Sequence, residues 1–249
     1  MKANSLSHEL ELAKKAAIES GKFLLKNKKD LNIRTDSDPR DTKLKADIES
    51  ENLIKEIIYS NSEYQILAEE SVKSSDSLGD IFWVIDPLDG TANFNRDIPI
   101  CCVSIGLVKD MSPLLGVIYD FNNNELYEGS TSLDIALLND KNISVSNISQ
   151  KSEGILITGL PFNTDYSDES LSDMVIDMQS WKKVRMIGSA AMASCYIASG
   201  KAELYKEKGI YLWDIIAGAA IVEAAGGKIK ILNMSDNFQV DVIFSNSNI

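Results

Sequence analysis

The segment Trp83-Val84-Ile85-Asp86-Pro87-Leu88-Asp89-Gly90-Thr91-Ala92-Asn93-Phe94 constrains this chain more than any other, because it drives an apolar strand into two carboxylates and then a glycine turn. Phe82 to Ile85 reads as a buried strand. Pro87 rigidifies the exit, and Gly90 lets the backbone turn with its N–H groups pointing outward. Asp86 and Asp89 are hard oxygen ligands that can converge across such a turn on a pair of Mg²⁺ ions. Amides after Gly90 can then face a phosphate held by those ions. A solvated Asp-Pro-Leu-Asp-Gly turn is the plainer alternative. It leaves unexplained why other acids recur in equally apolar settings.

Tyr64-Gln65-Ile66-Leu67-Ala68 is a second strand-like run, and it ends abruptly in the paired acids Glu69 and Glu70. Far downstream, the run from Leu212 to Gly227 reads as a small-residue helix with a glycine stop. Asp214 lies in its first turn, where an acid complements the helix dipole with or without a chemical role. Taken with Glu69, Asp86 and Asp89, it reads as the fourth member of an acidic site assembled from distant segments.

With 249 residues, 44% of them hydrophobic, the chain can bury a full core. The longest apolar stretch, around Ile215 to Val222, falls short of the ~20 residues that span a bilayer, so a soluble protein with no membrane partner is expected. The segment Met1-Lys2-Ala3-Asn4-Ser5-Leu6 lacks the apolar core of a signal peptide and opens an amphipathic helix through Leu6, Leu10, Ala13 and Ala17; a cytoplasmic protein is expected. Cys101, Cys102 and Cys195 have neither metal-ligand spacing nor a disulfide framework and read as core thiols. His8, the sole histidine, lies among polar neighbours, which argues against histidine-dependent catalysis. A net charge of −12, from 37 acids against 25 bases, argues against a nucleic-acid partner. Bound Mg²⁺ can still reverse the local sign for an anionic substrate.

Coarsely, the pattern predicts helices over about 6 to 27 and 47 to 60, then strands near 64 to 68, 81 to 85, 101 to 108 and 113 to 119. Strands near 154 to 158 and 184 to 187 precede a helix near 189 to 199, a strand near 202 to 205 and the helix near 213 to 225. Short strands near 228 to 232 and 241 to 244 close the chain. No flexible linker separates the halves.

In order, an acidic pair after a strand, Asp86-Pro87-Leu88-Asp89-Gly90-Thr91, and Trp213-Asp214 before an alanine-rich helix resemble the inositol monophosphatase family of lithium-sensitive, Mg²⁺-dependent phosphatases. Lys45-Ala46-Asp47 resembles the family's upstream Ala-Asp element. Thr158-Gly159-Leu160-Pro161-Phe162 and Gly188-Ser189-Ala190-Ala191 resemble segments that lead to its substrate pocket. The resemblance covers nearly the whole chain. It implies a layered α-β-α-β-α sandwich of the sugar-phosphatase type, mixing α+β and α/β character. One phosphatase domain over 1–249 is expected, with an α+β half to about 140, an α/β half from about 141, and the site at the join.

The resemblance also implies roles. Glu69, Asp86 and the Leu88 carbonyl would hold one Mg²⁺, Asp86, Asp89 and Asp214 a second, and Glu70 would join Glu69 near a third, weakly held ion. Metal-activated water would be oriented by Glu69 and Thr91, with Asp47 assisting, while the N–H groups of Gly90 and Thr91 cradle the phosphate. Thr91 and Asp47 also read as helix N-caps, a role compatible with catalysis. Glu70 reads equally as a solvated neighbour. Glu207 falls where the family binds a ring hydroxyl, and Gly188, Ser189 and Ala190 where it lines the polyol pocket; Glu207 between two lysines also reads as an exposed acid. The expected substrate is an inositol or sugar phosphate, with 3′(2′),5′-bisphosphate nucleotidase activity as the alternative and a non-catalytic metal- or phosphate-binding scaffold as a third reading. Lys43-Leu44-Lys45 departs from the family's usual run, and either lysine could contact a second anionic group or face water. A homodimer is implied by the resemblance alone.

Overall fold

Apolar residues at Leu6, Leu10, Ala13, Ala17 and Leu24 put one buried stripe along the first helix, α1 (Ala3–Lys26). The structure, a computed structural model, describes residues 3–35, 42–71, 78–160 and 166–249. Met1 and Lys2, and Pro161 and Phe162 of the pocket-leading segment, lie outside them. After α1 come α2 (Lys28–Leu31), α3 (Lys45–Tyr59), β1 (Gln65–Ala68), a 3-10 turn (Glu69–Ser71), β2 (Ile81–Asp89), α4 (Thr91–Asn95) and β3 (Cys102–Lys109). Next are β4 (Ser112–Asp120), β5 (Glu125–Ser130), β6 (Ile135–Leu138), β7 (Lys141–Asn142), β8 (Ile155–Thr158) and α5 (Asp168–Gln179). The chain closes with β9 (Lys183–Arg185), α6 (Ala190–Ala198), β10 (Leu204–Tyr211), α7 (Leu212–Ala224), β11 (Lys228–Leu232) and β12 (Gln239–Ser245).

Strands β1 to β7 form one sheet in chain order, antiparallel except for the β1–β2 pair. The second sheet runs β11-β12-β10-β8-β9, with β8 parallel to both its neighbours. Alternation along β2 divides the core. Trp83 and Ile85 pack with α1 and α3 on one face, while Phe82 and Val84 face α6 and α7 on the other. Val240, Val242 and Phe244 of β12 cover the opposite side of α6 and α7. The outermost layer is α5, which buries no residue and is tied down by Asp177 to Lys206 of β10 (2.7 Å) and to Lys151 (3.3 Å). The layered α-β-α-β-α sandwich is therefore present.

Several elements escaped the sequence pattern, the one-turn helices α2 and α4 among them. β5 and β7 are short and largely polar, β6 is an apolar run of only four residues, and α5 has no buried stripe to betray its period. β10 runs on to Tyr211, well past the expected 205, because Glu207 and Ile210 still pair with Val242 and Val240 across an irregularity at Lys208-Gly209. The three cysteines are buried free thiols, and His8 is exposed.

Helix α7 lies unusually close to the first sheet. Gly106, Gly116 and Gly129 stand opposite one another on β3, β4 and β5, forming a trough across three strands. A Cβ on Gly116 would sit 2.0 Å from the Ala217 carbonyl oxygen, and one on Gly129 would sit 2.3 Å from the Ile221 Cα. On the helix's other side, a Cβ at Gly218 would meet the Ser194 Cβ of α6 at 2.3 Å. Backbone therefore rests on backbone, and neither side can yield by turning a side chain. Gly116→Ala is expected to lower stability by about 1–3 kcal/mol or more, the range for overpacking a tight core. Urea unfolding of variant and parent measures this; an unchanged midpoint would contradict the contact.

Candidate active site

The two acids of β2 face the same way because the strand breaks register between them. Asp86 pairs with Ser104 and Asp89 with Cys102, so β2 advances one residue more than β3 over this stretch. In an unbroken strand, Asp86 and Asp89 would point to opposite faces. Pro87 sits inside this bulge, where a residue without an N–H costs no ladder bond. The strand thus continues to Asp89 rather than ending at Ile85. The Pro87 carbonyl accepts the Ser50 hydroxyl of α3 at 2.8 Å, and Ser50 lies 2.6 Å from the Ser20 hydroxyl of α1. Since Ser50 has one hydroxyl hydrogen, Ser20 donates to it. Asp86 Oδ1 accepts the Leu88 N–H at 2.9 Å.

Gly90 follows with φ +86°, and a Cβ there would press to 2.7 Å on the Ile100 carbonyl oxygen. It is Gly90, not Thr91, that caps α4. Thr91 is the first helical residue, with its hydroxyl 2.8 Å from Asp47 Oδ1 and 2.9 Å from the Leu88 carbonyl oxygen. Asp47 likewise lies inside its helix: Leu44 caps α3, and Asp47 Oδ2 accepts the Leu44 N–H at 2.7 Å. Asp214 repeats the arrangement at α7, accepting the Tyr211 N–H at 2.8 Å. In both helices the acid reaches back to the capping residue. One oxygen is fixed by backbone and the other is left to the site.

Asp89 meets the start of α6. Its Oδ2 accepts the Ser189 hydroxyl and the Ala191 N–H (2.9 Å), with Cys102 Sγ at 3.8 Å. Ser189 also accepts the Met192 N–H at 3.2 Å as the cap of α6. Its hydroxyl is thus committed on both sides, and Ser189 and Ala190 form a buried support behind Asp89. Asn93, unassigned by sequence reasoning, donates from Nδ2 to the carbonyls of Ile100 (2.7 Å) and Ile187 (2.8 Å) and ties α4 to the loop before α6. Gly188 lies beside it, with its carbonyl 3.3 Å from Asn93 Nδ2.

Glu207 is half-buried rather than exposed, and its Oε2 accepts the hydroxyl of the fully buried Tyr205 at 2.9 Å. It approaches so near to Gly159 that a Cβ there would fall 2.3 Å from Oε1. A groove of about 900 Å³ opens along β10, β12 and α5; Glu207 belongs to its wall, whereas Asp86, Asp89 and Asp214 do not. Lys43 reaches Glu70 Oε1 at 3.1 Å, and Lys45 is exposed. Glu70 is therefore paired rather than simply solvated.

Burial dominates the electrostatics. Glu69, Asp86 and Asp214 are pushed well above the usual carboxylate range, first by desolvation and then by nearby acids: Asp214, Asp47 and Glu70 at Glu69; Glu69, Asp89 and Asp214 at Asp86; and Asp89 and Glu207 at Asp214. Glu69 retains some exposed surface, but dense protein surrounds its carboxyl. Asp89 is raised by burial and partly relieved by Ser189 and Ala191. Asp47 and Glu207 are each raised to about 7, chiefly by burial, against hydrogen bonds from Thr91 and Tyr205 respectively. Among the described residues, no three of these acids are drawn into a closed ligand cage. Asp47, Asp86, Asp89 and Asp214 are each held by a backbone N–H donor. Buried hard oxygen donors of this kind suit a hard divalent cation, which would relieve the repulsion that raises them.

The profile of the inositol monophosphatase family matches residues 5–247. The inositol-1-monophosphatase of Synechocystis sp. is 37% identical over 192 residues, covering 76% of this chain and 67% of the relative. The Nus factor SuhB of Pasteurella multocida is 35% identical over 228 residues, covering 90% and 85%. The solved inositol monophosphatase of Anabaena (Nostoc) sp. superposes with a TM-score of 0.83 at 32% identity, covering 98% of this chain and 93% of that one. With the family profile spanning residues 5–247 and the same fold shared with a relative at 32% identity over 98% of the chain, the chain belongs to the inositol monophosphatase family and is a phosphatase.

Proposed function

We propose that the chain hydrolyses the phosphate monoester of a small phosphorylated polyol, an inositol monophosphate or a sugar phosphate, with Mg²⁺ as cofactor. What supports this reading is that Asp86 feels Glu69, Asp89 and Asp214 as charged neighbours, acids carried by the 3-10 turn, by β2 itself and by α7, with Gly90 and Thr91 directly following β2. Such a set suits a divalent ion pair. Glu69, Asp86 and the Leu88 carbonyl would hold one ion, and Asp86, Asp89 and Asp214 another. When bound, Mg²⁺ would offset the charge of the phosphoryl group and favour ionisation of the attacking water. Glu69 and Thr91 orient that water, and Asp47 assists by holding the Thr91 hydroxyl at 2.8 Å. The N–H groups of Gly90 and Thr91 face the phosphate. Glu207, steadied by Tyr205, accepts ring hydroxyls, and Gly188, Ser189 and Ala190 supply backbone to that side of the pocket.

The bisphosphate nucleotidase reading needs a cation for a second phosphate. Lys43 is already engaged with Glu70, which favours the polyol phosphate. A panel containing inositol phosphates, sugar phosphates and 3′-phosphoadenosine 5′-phosphate, assayed with and without Mg²⁺, compares the two. The family resemblance also supports a homodimer, for sedimentation velocity to test.

Asp89→Asn and Asp214→Asn should each reduce turnover by ~10²-fold or more with the fold retained, since each weakens a proposed metal ligand at nearly constant volume. Parent-like rates in both at saturating Mg²⁺ would move the chemistry elsewhere.

Without Mg²⁺, stability should fall as pH rises. The folded chain keeps protons on Asp47 and Glu207 up to about 7, whereas their ordinary values are 3.8 and 4.5. Their contribution is complete below those ordinary values and is lost as pH passes through about 7. Mg²⁺ should restore stability most above that pH, growing as RT ln(1 + [Mg²⁺]/Kd). Calorimetry in EDTA at acid and alkaline pH, then in excess Mg²⁺, measures both effects; a Tm indifferent to Mg²⁺ at alkaline pH would count against the site.

Glu207→Ala should lower kcat/KM for an inositol or sugar phosphate by roughly 10- to 10³-fold, the range for losing a charged hydrogen-bond partner. Hydrolysis of p-nitrophenyl phosphate, which offers no ring hydroxyls, should barely change. Equal losses on both substrates would assign Glu207 to the fold instead.

A further inference from the structure

The Lys43–Glu70 ion pair joins two segments whose backbones are each fixed independently. Lys43 is held by a bridge between Arg34 and Leu44: its carbonyl accepts the Thr35 N–H at 2.9 Å, and the Lys45 N–H, two residues on, donates to the Ile33 carbonyl at 2.8 Å. Opposite it, the Glu70 N–H donates to Glu51 Oε2 at 2.8 Å. Glu51 is buried and is itself gripped by Lys55 at 2.7 Å and the Ser71 hydroxyl at 2.6 Å. The Lys43 ammonium then lies 3.1 Å from Glu70 Oε1. Glu70's side chain is only 12% exposed and that of Lys43 37%, so this is not the freely solvated pair that contributes little. Lys43 is also a cation acting on Glu69, whose other charged neighbours, Asp214, Asp47 and Glu70, are all acids.

We propose that Lys43 is a built-in cation on the Glu69–Glu70 side of the acidic site, holding Glu70 and disfavouring a further divalent ion there. The inference rests on the metal reading given under Proposed function and deepens it. A divalent ion recruited by Glu70 would have to break the ion pair and then share the space with the released ammonium, which repels it. Ions held by Asp86, Asp89 and Asp214 face no such competitor among the described contacts. The chain therefore works with two ions, and its tolerance of high Mg²⁺ is set by a lysine. Lys43 acts as a positioning residue through Glu70.

Mn²⁺ binding to the full chain, with free ion followed by electron paramagnetic resonance, tests this without an activity readout. Lys43→Met should bind its weakest Mn²⁺ at least ~10-fold more tightly than the parent or gain one ion per chain, the scale on which outer partners tune metal affinity. Lys43→Gln should do the same should the Met variant prove unstable, while Lys43→Arg should reproduce the parent isotherm. Adding Glu70→Gln to Lys43→Met should abolish the gain. Superimposable isotherms for parent, Lys43→Met and Lys43→Gln would overturn the proposal, as would a gain that survives Glu70→Gln. Failure of the underlying reading looks different: the parent itself would bind no Mn²⁺ sensitive to Asp89→Asn.

Discussion

Everything at the site depends on the parity of one strand. β2 arrives with Trp83 and Ile85 committed to the α1–α3 core and Phe82 and Val84 to the other, so the pleat alone decides which face each later residue meets. The bulge at Pro87 adds one residue, and with it Asp86 and Asp89 share a face. Bending a strand frees a carbonyl that the ladder no longer satisfies, and in a dry core such a group costs about 1–3 kcal/mol. The relay from Ser20 through Ser50 to Pro87 meets that need from two helices. A pair of serines on otherwise apolar helix faces is thus part of how the acids are aimed.

A common device orients the acids themselves. Asp47, Asp86, Asp89 and Asp214 each accept one backbone N–H, from Leu44, Leu88, Ala191 and Tyr211 respectively. Charge-assisted bonds of this kind favour the ionised form and oppose the upward push of burial. They also fix each carboxyl in direction while leaving it acceptor capacity. Orientation comes from main chain belonging to three helices and a strand, which are rigid supports for a site.

Much of this was legible in the residues. Apolar strands running into Glu69 and Asp86, the glycine after Asp89, and the small-residue helix behind Asp214 each announce themselves by pattern. Boundaries were less legible, because capping is decided by a single hydrogen bond: Asp47 and Thr91 look like caps, yet Leu44 and Gly90 hold those places. The bulge was hidden because Pro87 reads as the end of a strand. Asn93 was hidden for another reason: its partners, Ile100 and Ile187, are backbone carbonyls from another part of the chain, and carbonyls leave no mark on a sequence. α5 and β5 to β7 lack the buried stripe or apolar alternation that would mark them out.

The glycine trough under α7 has a consequence for how this protein can change. The distance from Asp214 to the sheet is set by main-chain atoms in van der Waals contact, at Ala217 on Gly116 and Ile221 on Gly129. It is not set by the thickness of any side chain. Aliphatic residues around the helix can therefore be exchanged over evolutionary time while the helix stays seated at the same depth, as a shaft stays seated on its bearing when the packing around it is renewed. Variation in the core is uncoupled from variation in the geometry of the acids, and the three glycines are where that freedom ends.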